Sequence, residues 1–313
     1  MEQHSSLNRT EAWPQLPLAE WKDTYATLHM WTQIVGKVRL ALTPLINQWW
    51  NVPLYVTSRG LTTSPIPYGD TPFELWFDFL DHQLVLQLSD GSRKTHPLAP
   101  QSVADFYRDL MDMLHSVGID VKIWHMPVEV PGPIPFDQDR VHASYDPGAA
   151  HRFWRILLST QCVLEEFRSR FVGKCSPIHF FWGSFDLAVT RFSGRRAPER
   201  PGADRITREA YSEEVSSVGF WPGGGTVDGA AFYSYMAPEP PGFRDRKVQP
   251  EAAHYDAQLG EFILMYEDVR NADSPATTLL DFCQGTYEAG ATLADWNRDE
   301  LERQVTPALN KTA

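Results

Sequence analysis

The stretch Lys174 to Arg196, KCSPIHFFWGSFDLAVTRFSGRR, carries an apolar run on each side of Trp182-Gly183 and reads as a β-hairpin. Its register follows from asking which turn length sorts the side chains onto two faces. A two-residue turn at Trp182-Gly183 pairs Phe180 with Phe185 and Ile178 with Leu187, and Val189 completes one wholly apolar face. The other face then carries His179 opposite Asp186, with Phe181, Ser184, Ala188 and Thr190 around them. A three-residue turn would set His179 beside Leu187 and scatter Asp186 among apolar groups, so the two-residue register is preferred. It brings an imidazole and a carboxylate together across two strands, with Cβ atoms about 5 Å apart.

That pair is the first candidate for chemistry. A carboxylate that accepts from one ring nitrogen fixes the tautomer and leaves the other nitrogen free for a substrate proton. His179 is therefore read as a catalytic acid or base and Asp186 as its orienting partner, with Phe181 and Trp182 as walls of an aromatic pocket. The plainer alternative is a cross-strand pair that satisfies two partly buried polar groups. Glu213 and Glu214 fall on the next strand, and Glu214 is a secondary contact, but no HxH or HExxH spacing accompanies them and no metal site is expected. Cys175 lies four residues before His179, roughly 13 Å away along extended chain, too far for a Cys-His nucleophile pair. Arg191, Arg195 and Arg196 could bind an anion at the end of the hairpin, or be solvated loop charge; Arg191 is taken as a ligand contact. Tyr145 and His151, flanking an Asp146-Pro147 helix start, could reach the mouth of the hairpin and are the remaining ligand candidates. The glycines of FWPGGGTVDG lack the Lys and Ser/Thr of a phosphate-binding loop and suit a hairpin tip.

Composition bounds the rest. A 313-residue chain with 42% hydrophobic residues can build a substantial core. Its net charge of −12 opposes nucleic-acid and anionic-membrane partners, whose phosphates need clustered Lys and Arg. The three cysteines are odd in number and widely spaced, which fits a reducing cytoplasm rather than a disulfide scaffold. No stretch approaches a membrane span. Residues 1–12 and 304–313 read as loose tails.

Along the chain, Trp21, Tyr25, Leu28, Trp31, Val35, Val38 and Leu42 form a helical stripe, broken at Thr43-Pro44. Hairpins follow with turns at Arg59-Gly60 and Asp81-His82, then a helix capped at Ser102 and a strand at Ile119–Trp124. After a proline-rich connector the order repeats: a helix from Asp146-Pro147, the hairpin above, strands AYSEEVSSVGFW, AAFYSYM and GEFILMYED, and a helix from Ser274-Pro275. The expected fold is α+β, internally duplicated, each unit a helix, a four-stranded antiparallel sheet and a second helix, with helices on one sheet face. The halves are 13–130 and 131–303, packed as one globular unit.

WPQLPLAEWKDTYATLHMWTQIVGKVRLAL, VPLYVTSRGLTTSPIPYG, HASYDPGAAHRFW, KCSPIHFFWGSFDLAVTRFSGRRAP and VSSVGFWPGGG resemble the successive motifs of domain-of-unknown-function family 5996, from about Trp13 to Leu301. The resemblance implies a soluble bacterial protein and transfers no catalytic residue. On the residues alone, the expectation is an enzyme acting on a small molecule through the His179–Asp186 pair. The alternative is a non-catalytic small-ligand sensor or binding protein. Substrate, cofactor and oligomeric state are left open.

Overall fold

The computed structural model describes residues 9–303; the segments 1–8 and 304–313, read above as tails, lie outside the described residues. Residues 9–12 do not belong to a loose tail. Arg9–Ala12 is a helical turn, α1, whose carbonyls at Glu11 and Ala12 accept from Arg155 Nε at 3.2 Å and the Ser159 hydroxyl at 2.5 Å. Tertiary hydrogen bonds hold a segment that its polarity alone would leave free.

Helix α2 (Leu18–Leu42) presents Leu28, Trp31, Ile34, Val35 and Val38 to the core, all fully buried. It stops where expected. Thr43 precedes proline and takes an extended conformation, which ends the helix, and a 3-10 turn, η1 (Asn47–Trp49), follows. The first sheet is an antiparallel meander of β1 (Tyr55–Val56), β2 (Gly60–Thr62), β3 (Phe73–Asp78), β4 (Gln83–Leu88) and β5 (Arg93–Pro97), in that order. On β3, Phe73, Leu75 and Phe77 point inward while Glu74 and Trp76 are half-buried, the alternation of a sheet with one covered face. β5, RKTHP, goes beyond the four strands expected. Its side chains are mostly exposed, so no apolar alternation marks it, and only the backbone ladder to β4 makes it a strand.

Helix α3 (Val103–His115) is capped as read, with Ser102 Oγ accepting from the Asp105 amide at 3.1 Å. Its Phe106 stacks on Trp31 at 4.7 Å and lies 6.4 Å from Phe77, so helix, helix and sheet share one aromatic seam. Burying a ring of this size contributes roughly 1.5–3 kcal/mol. The strand expected at Ile119–Trp124 is irregular chain instead. Its residues alternate, but no ladder pairs them, and Trp124 is exposed.

α4 (Pro147–Ser169) leads to a second antiparallel sheet: β6 (His179–Phe181), β7 (Asp186–Arg196), β8 (Glu213–Trp221), β9 (Ala231–Ala237), β10 (His254–Asp256) and β11 (Glu261–Met265), ordered β10-β11-β9-β8-β7-β6. Around these lie α5 (Arg205–Ala210), η2 (Phe243–Asp245), α6 (Tyr266–Asn271), α7 (Pro275–Leu293) and α8 (Arg298–Leu301). The class is α+β, with sheets of five and six strands rather than two of four.

The chain forms two compact units drawn from interleaved stretches. Of the described residues, unit 1 comprises 9–161, 179–188 and 220–231, and unit 2 comprises 162–178, 189–219 and 232–303. In unit 2, Tyr287 of α7 meets Phe171 at 5.8 Å, Phe167 at 6.3 Å and Trp296 at 6.0 Å. In unit 1 the hairpin tip is seated on α2. Trp182 donates through Nε1 to the Val52 carbonyl at 2.9 Å, and its indole lies so close to Gly36 that a Cβ there would come within 2.3 Å of the ring. Gly36→Ala is therefore expected to destabilise the fold by about 1–3 kcal/mol through overpacking. Urea melts and the Trp fluorescence of the variant, set against wild type, check this.

Candidate functional site

The hairpin forms, in a different register. Phe181 pairs with Asp186, Phe180 with Leu187 and His179 with Ala188, leaving a four-residue loop that the Phe185 amide closes onto the Phe181 carbonyl at 2.7 Å. The reason lies in the loop residues. Trp182 is used to dock on α2, and Phe185, at φ 59°, buries its ring against Phe153 at 5.1 Å and Tyr25 at 5.0 Å. A two-residue turn would release neither ring. The shift is by two residues, so it preserves the faces: His179 and Asp186 remain on one side of the sheet but are diagonal neighbours, roughly 7–8 Å apart at Cα, rather than directly opposed.

His179 is 1% exposed. Its Nε2 lies 3.5 Å from the Tyr55 hydroxyl, and three rings surround it: Tyr55 at 5.5 Å, Phe181 at 5.5 Å and Trp50 at 6.1 Å. Tyr55 reaches it because β1 lies beside β6, with the Leu54 amide donating to the Phe180 carbonyl and the reverse bond also made, each at 2.9 Å. Behind Tyr55 stands Arg39, from the last turn of α2. Its guanidinium lies 5.5 Å from the Tyr55 ring centre, and Nε donates to the Asn51 carbonyl at 2.8 Å. Burial lowers its pKa, and Nη1 is buried without a hydrogen-bond partner. Asp186 is buried and accepts a hydrogen bond from the Ser184 hydroxyl. Near it the Tyr25 phenol is pushed up to about 12, by burial first; the Trp221 indole, a hydrogen-bond donor, opposes the rise and the charge of Asp186 adds to it. Imidazole, phenol and guanidinium thus lie in series along one aromatic enclosure, with the Asp186 carboxylate on the same sheet face as the imidazole.

Tyr145 and His151 lie in unit 1 at the start of α4. The Tyr145 hydroxyl is 2.9 Å from His82 Nδ1, and His151 packs on Trp154 at 5.3 Å. Burial, then the nearby Arg155, His82 and Arg152, hold the His151 pKa below its ordinary value. Beside Tyr145 opens a cleft of about 410 Å³, whose wall includes Glu20, Lys22, Asp23, Thr24 and Asp146. Asp146 caps the helix, accepting from the Gly148 amide at 2.8 Å. His82 does more than turn the chain, since its ring orients the Tyr145 hydroxyl. Among the described residues no group of three or more His, Cys, Asp and Glu side chains is arranged to hold a metal ion. No helix among them is long and apolar enough to cross a membrane.

Residues 13–303 match a family of unknown function, DUF5996. The chain belongs to that family. Neither the curated proteins nor the solved structures returned a match.

In this DUF5996 chain, Arg191 and Glu214 fall in unit 2. Arg191 is neither loop charge nor at a hairpin end. It is fully buried, its guanidinium 3.4 Å from the Phe167 ring centre and 4.3 Å from that of Tyr287, with Nη2 donating to the Phe167 carbonyl. Burial pushes its pKa down to about 10. Glu214 is held by Arg195 through Nε at 2.9 Å and Nη2 at 2.7 Å, and Glu213 by Lys174 at 2.6 Å. Cys175 is partly buried and its thiol pKa is raised by that burial, consistent with a packing role.

Arg39, Tyr55 and Trp50 went unread in the sequence. The available signal was Tyr55 itself, a polar-tipped residue breaking the apolar face of the first hairpin together with Thr57 and Thr62. Nothing local marked Arg39, which sits on the helix stripe like any surface cation.

Two measurements follow from DUF5996 geometry. His29 donates from Nε2 to the Gly183 carbonyl at 2.8 Å, and burial holds its pKa down to about 4. Its unfolded value is about 6.5, so stability is full above pH 6.5 and is lost as pH falls through the range to 4, by about 3 kcal/mol at most. Urea melts at pH 7.5 and 4.5 should show this loss diminished in His29→Gln. Arg191→Met exchanges a buried, incompletely bonded cation for an apolar side chain, and its midpoint in urea is expected to equal or exceed wild type.

Proposed function

We propose that this chain transforms a small molecule at His179, the imidazole moving a proton and Asp186, on the same sheet face, biasing its charge. The observation that carries this reading is the Tyr55 hydroxyl 3.5 Å from His179 Nε2, inside walls of Trp50 and Phe181. A phenol and an imidazole in contact can relay one proton, and rings that exclude water strengthen every charge interaction among them. Tyr145 borders a separate cleft of the same unit, and with His151, nearby at the start of α4, it serves as a secondary ligand contact. Phe181 remains a wall, while the Trp182 indole supports the loop from the α2 side. The net charge of −12 favours a small-molecule partner over nucleic acid or a membrane surface, and a cytoplasmic setting fits the cysteine content. The recurring order of helix, antiparallel sheet and helix supports descent from a duplicated unit.

A second reading, a ligand-binding sensor without turnover, is favoured by the burial of His179 at 1% exposure. A closed imidazole can select a hydrogen-bonding ligand without exchanging protons with solvent.

A metabolite panel, scored for thermal shift and for turnover with wild type, His179→Ala and Tyr55→Phe, separates the two. The catalytic reading expects His179→Ala to lose roughly 10²–10⁴-fold in rate while ligands still raise Tm. Ligands that raise Tm but are never converted would replace it with the sensor reading. Wild-type behaviour of His179→Ala in both assays sinks both.

A further inference from the structure

Arg39 is 7% exposed, and among the described residues no carboxylate forms an ion pair with it. Its Nε is committed to the Asn51 carbonyl and the face of its guanidinium lies against the Tyr55 ring, while Nη1 has no hydrogen-bond partner. A buried cation short of both a counter-charge and an acceptor is costly, and a guanidinium edge with a free N–H is the group that suits a planar or tetrahedral oxyanion. Tyr55 lies against both groups, its ring centre 5.5 Å from the Arg39 guanidinium and 5.5 Å from the His179 ring, so one phenol links this cation to the imidazole.

The chain to which this cation is bonded is also distinctive. From Thr43 to Asn51 it carries the exposed apolar side chains Leu45 and Ile46, at 46% and 44%, and two successive non-glycine residues in the left-handed region, Gln48 at φ 52° and Trp49 at φ 60°. Both its ends meet at Asn51. The Asn51 side chain accepts from the Ile46 amide at 3.3 Å and donates to the Thr43 hydroxyl at 3.2 Å, and its carbonyl is the acceptor for Arg39 Nε. Trp50, next along, forms one wall around His179. Arg39 therefore ties the segment down, and a change in what Arg39 binds is transmitted to it.

We infer that the ligand of the His179 site is a small oxyanion, a carboxylate or phosphoryl group, received by Arg39 Nη1 beside the 43–51 strap, which opens to admit it and is held by Arg39 when it is bound. The inference rests on the proposed site at His179 and adds its ligand class and its gate.

The test uses the full chain at constant ionic strength, with acetate, inorganic phosphate and the neutral isostere acetamide as probes. Acetate or phosphate should raise Tm saturably and slow hydrogen exchange across residues 43–51 by about the factor 1 + [L]/Kd, roughly tenfold at a tenfold excess over Kd. Acetamide should do neither, and Arg39→Met should lose both effects. Whichever of acetate and phosphate acts at lower concentration identifies the source of the oxyanion. Equal effects of acetamide and the anions, or an undiminished response in Arg39→Met, overturns the inference. Should Arg39→Met not fold, wild-type exchange decides alone: anion-specific protection of 43–51 supports the proposal and its absence overturns it. His179→Ala is expected to keep the anion response. Anion binding without turnover of any anionic metabolite would thus sink the catalytic reading while leaving the oxyanion site standing.

Discussion

The seating of the 182–185 loop on α2 is the contact on which unit 1 depends. One packing contact and two hydrogen bonds define it. Trp182 lies over a helix position with no side chain and donates to the Val52 carbonyl, and His29, two turns earlier on α2, donates to the carbonyl of Gly183. Each partner comes from a different part of the chain, so the loop joins a helix and the start of the first meander at one point. Loss of Gly36 as a gap would displace the indole, and the backbone bonds at Val52 and Gly183 would be lost with it.

The candidate site is a consequence of that seating. With the loop fixed, β6 is anchored and its edge receives Leu54, which carries Tyr55 onto the face of His179. Arg39 then has a phenol to lean on and a carbonyl at Asn51 to bind. The buried histidines of the unit are differently used. His29 is a neutral structural donor, while His179 faces a hydroxyl and aromatic rings. A pKa pushed down to about 4 by burial fits the first role.

Much of the helical framework was legible because it rests on local chemistry. The α2 stripe and its stop before Pro44, the Ser102 cap and the Asp146-Pro147 start all appear where residue order puts them. Period-two alternation also kept His179 and Asp186 on one face even though the register moved, because a two-residue shift leaves faces unchanged. What could not be read was set at a distance. β5 is a strand only through its neighbour, and Ile119–Trp124 alternates without one. Arg191 reads as a ligand contact at the hairpin end because its aromatic surroundings come from Phe167 and Tyr287, remote in sequence. The same holds for Arg39, whose burial depends on Asn51 and Tyr55.

The interleaving of the two compact units has a bearing on how this chain can be divided. Unit 1 needs residues 179–188 and 220–231 as well as its long N-terminal stretch, and unit 2 fills the intervals between them. No single cut, wherever it is placed, separates the two units from each other. A cut near the midpoint keeps unit 2 entire in the C-terminal piece but takes 179–188 and 220–231 from unit 1, so the N-terminal piece should recover its fold only when the C-terminal piece is present.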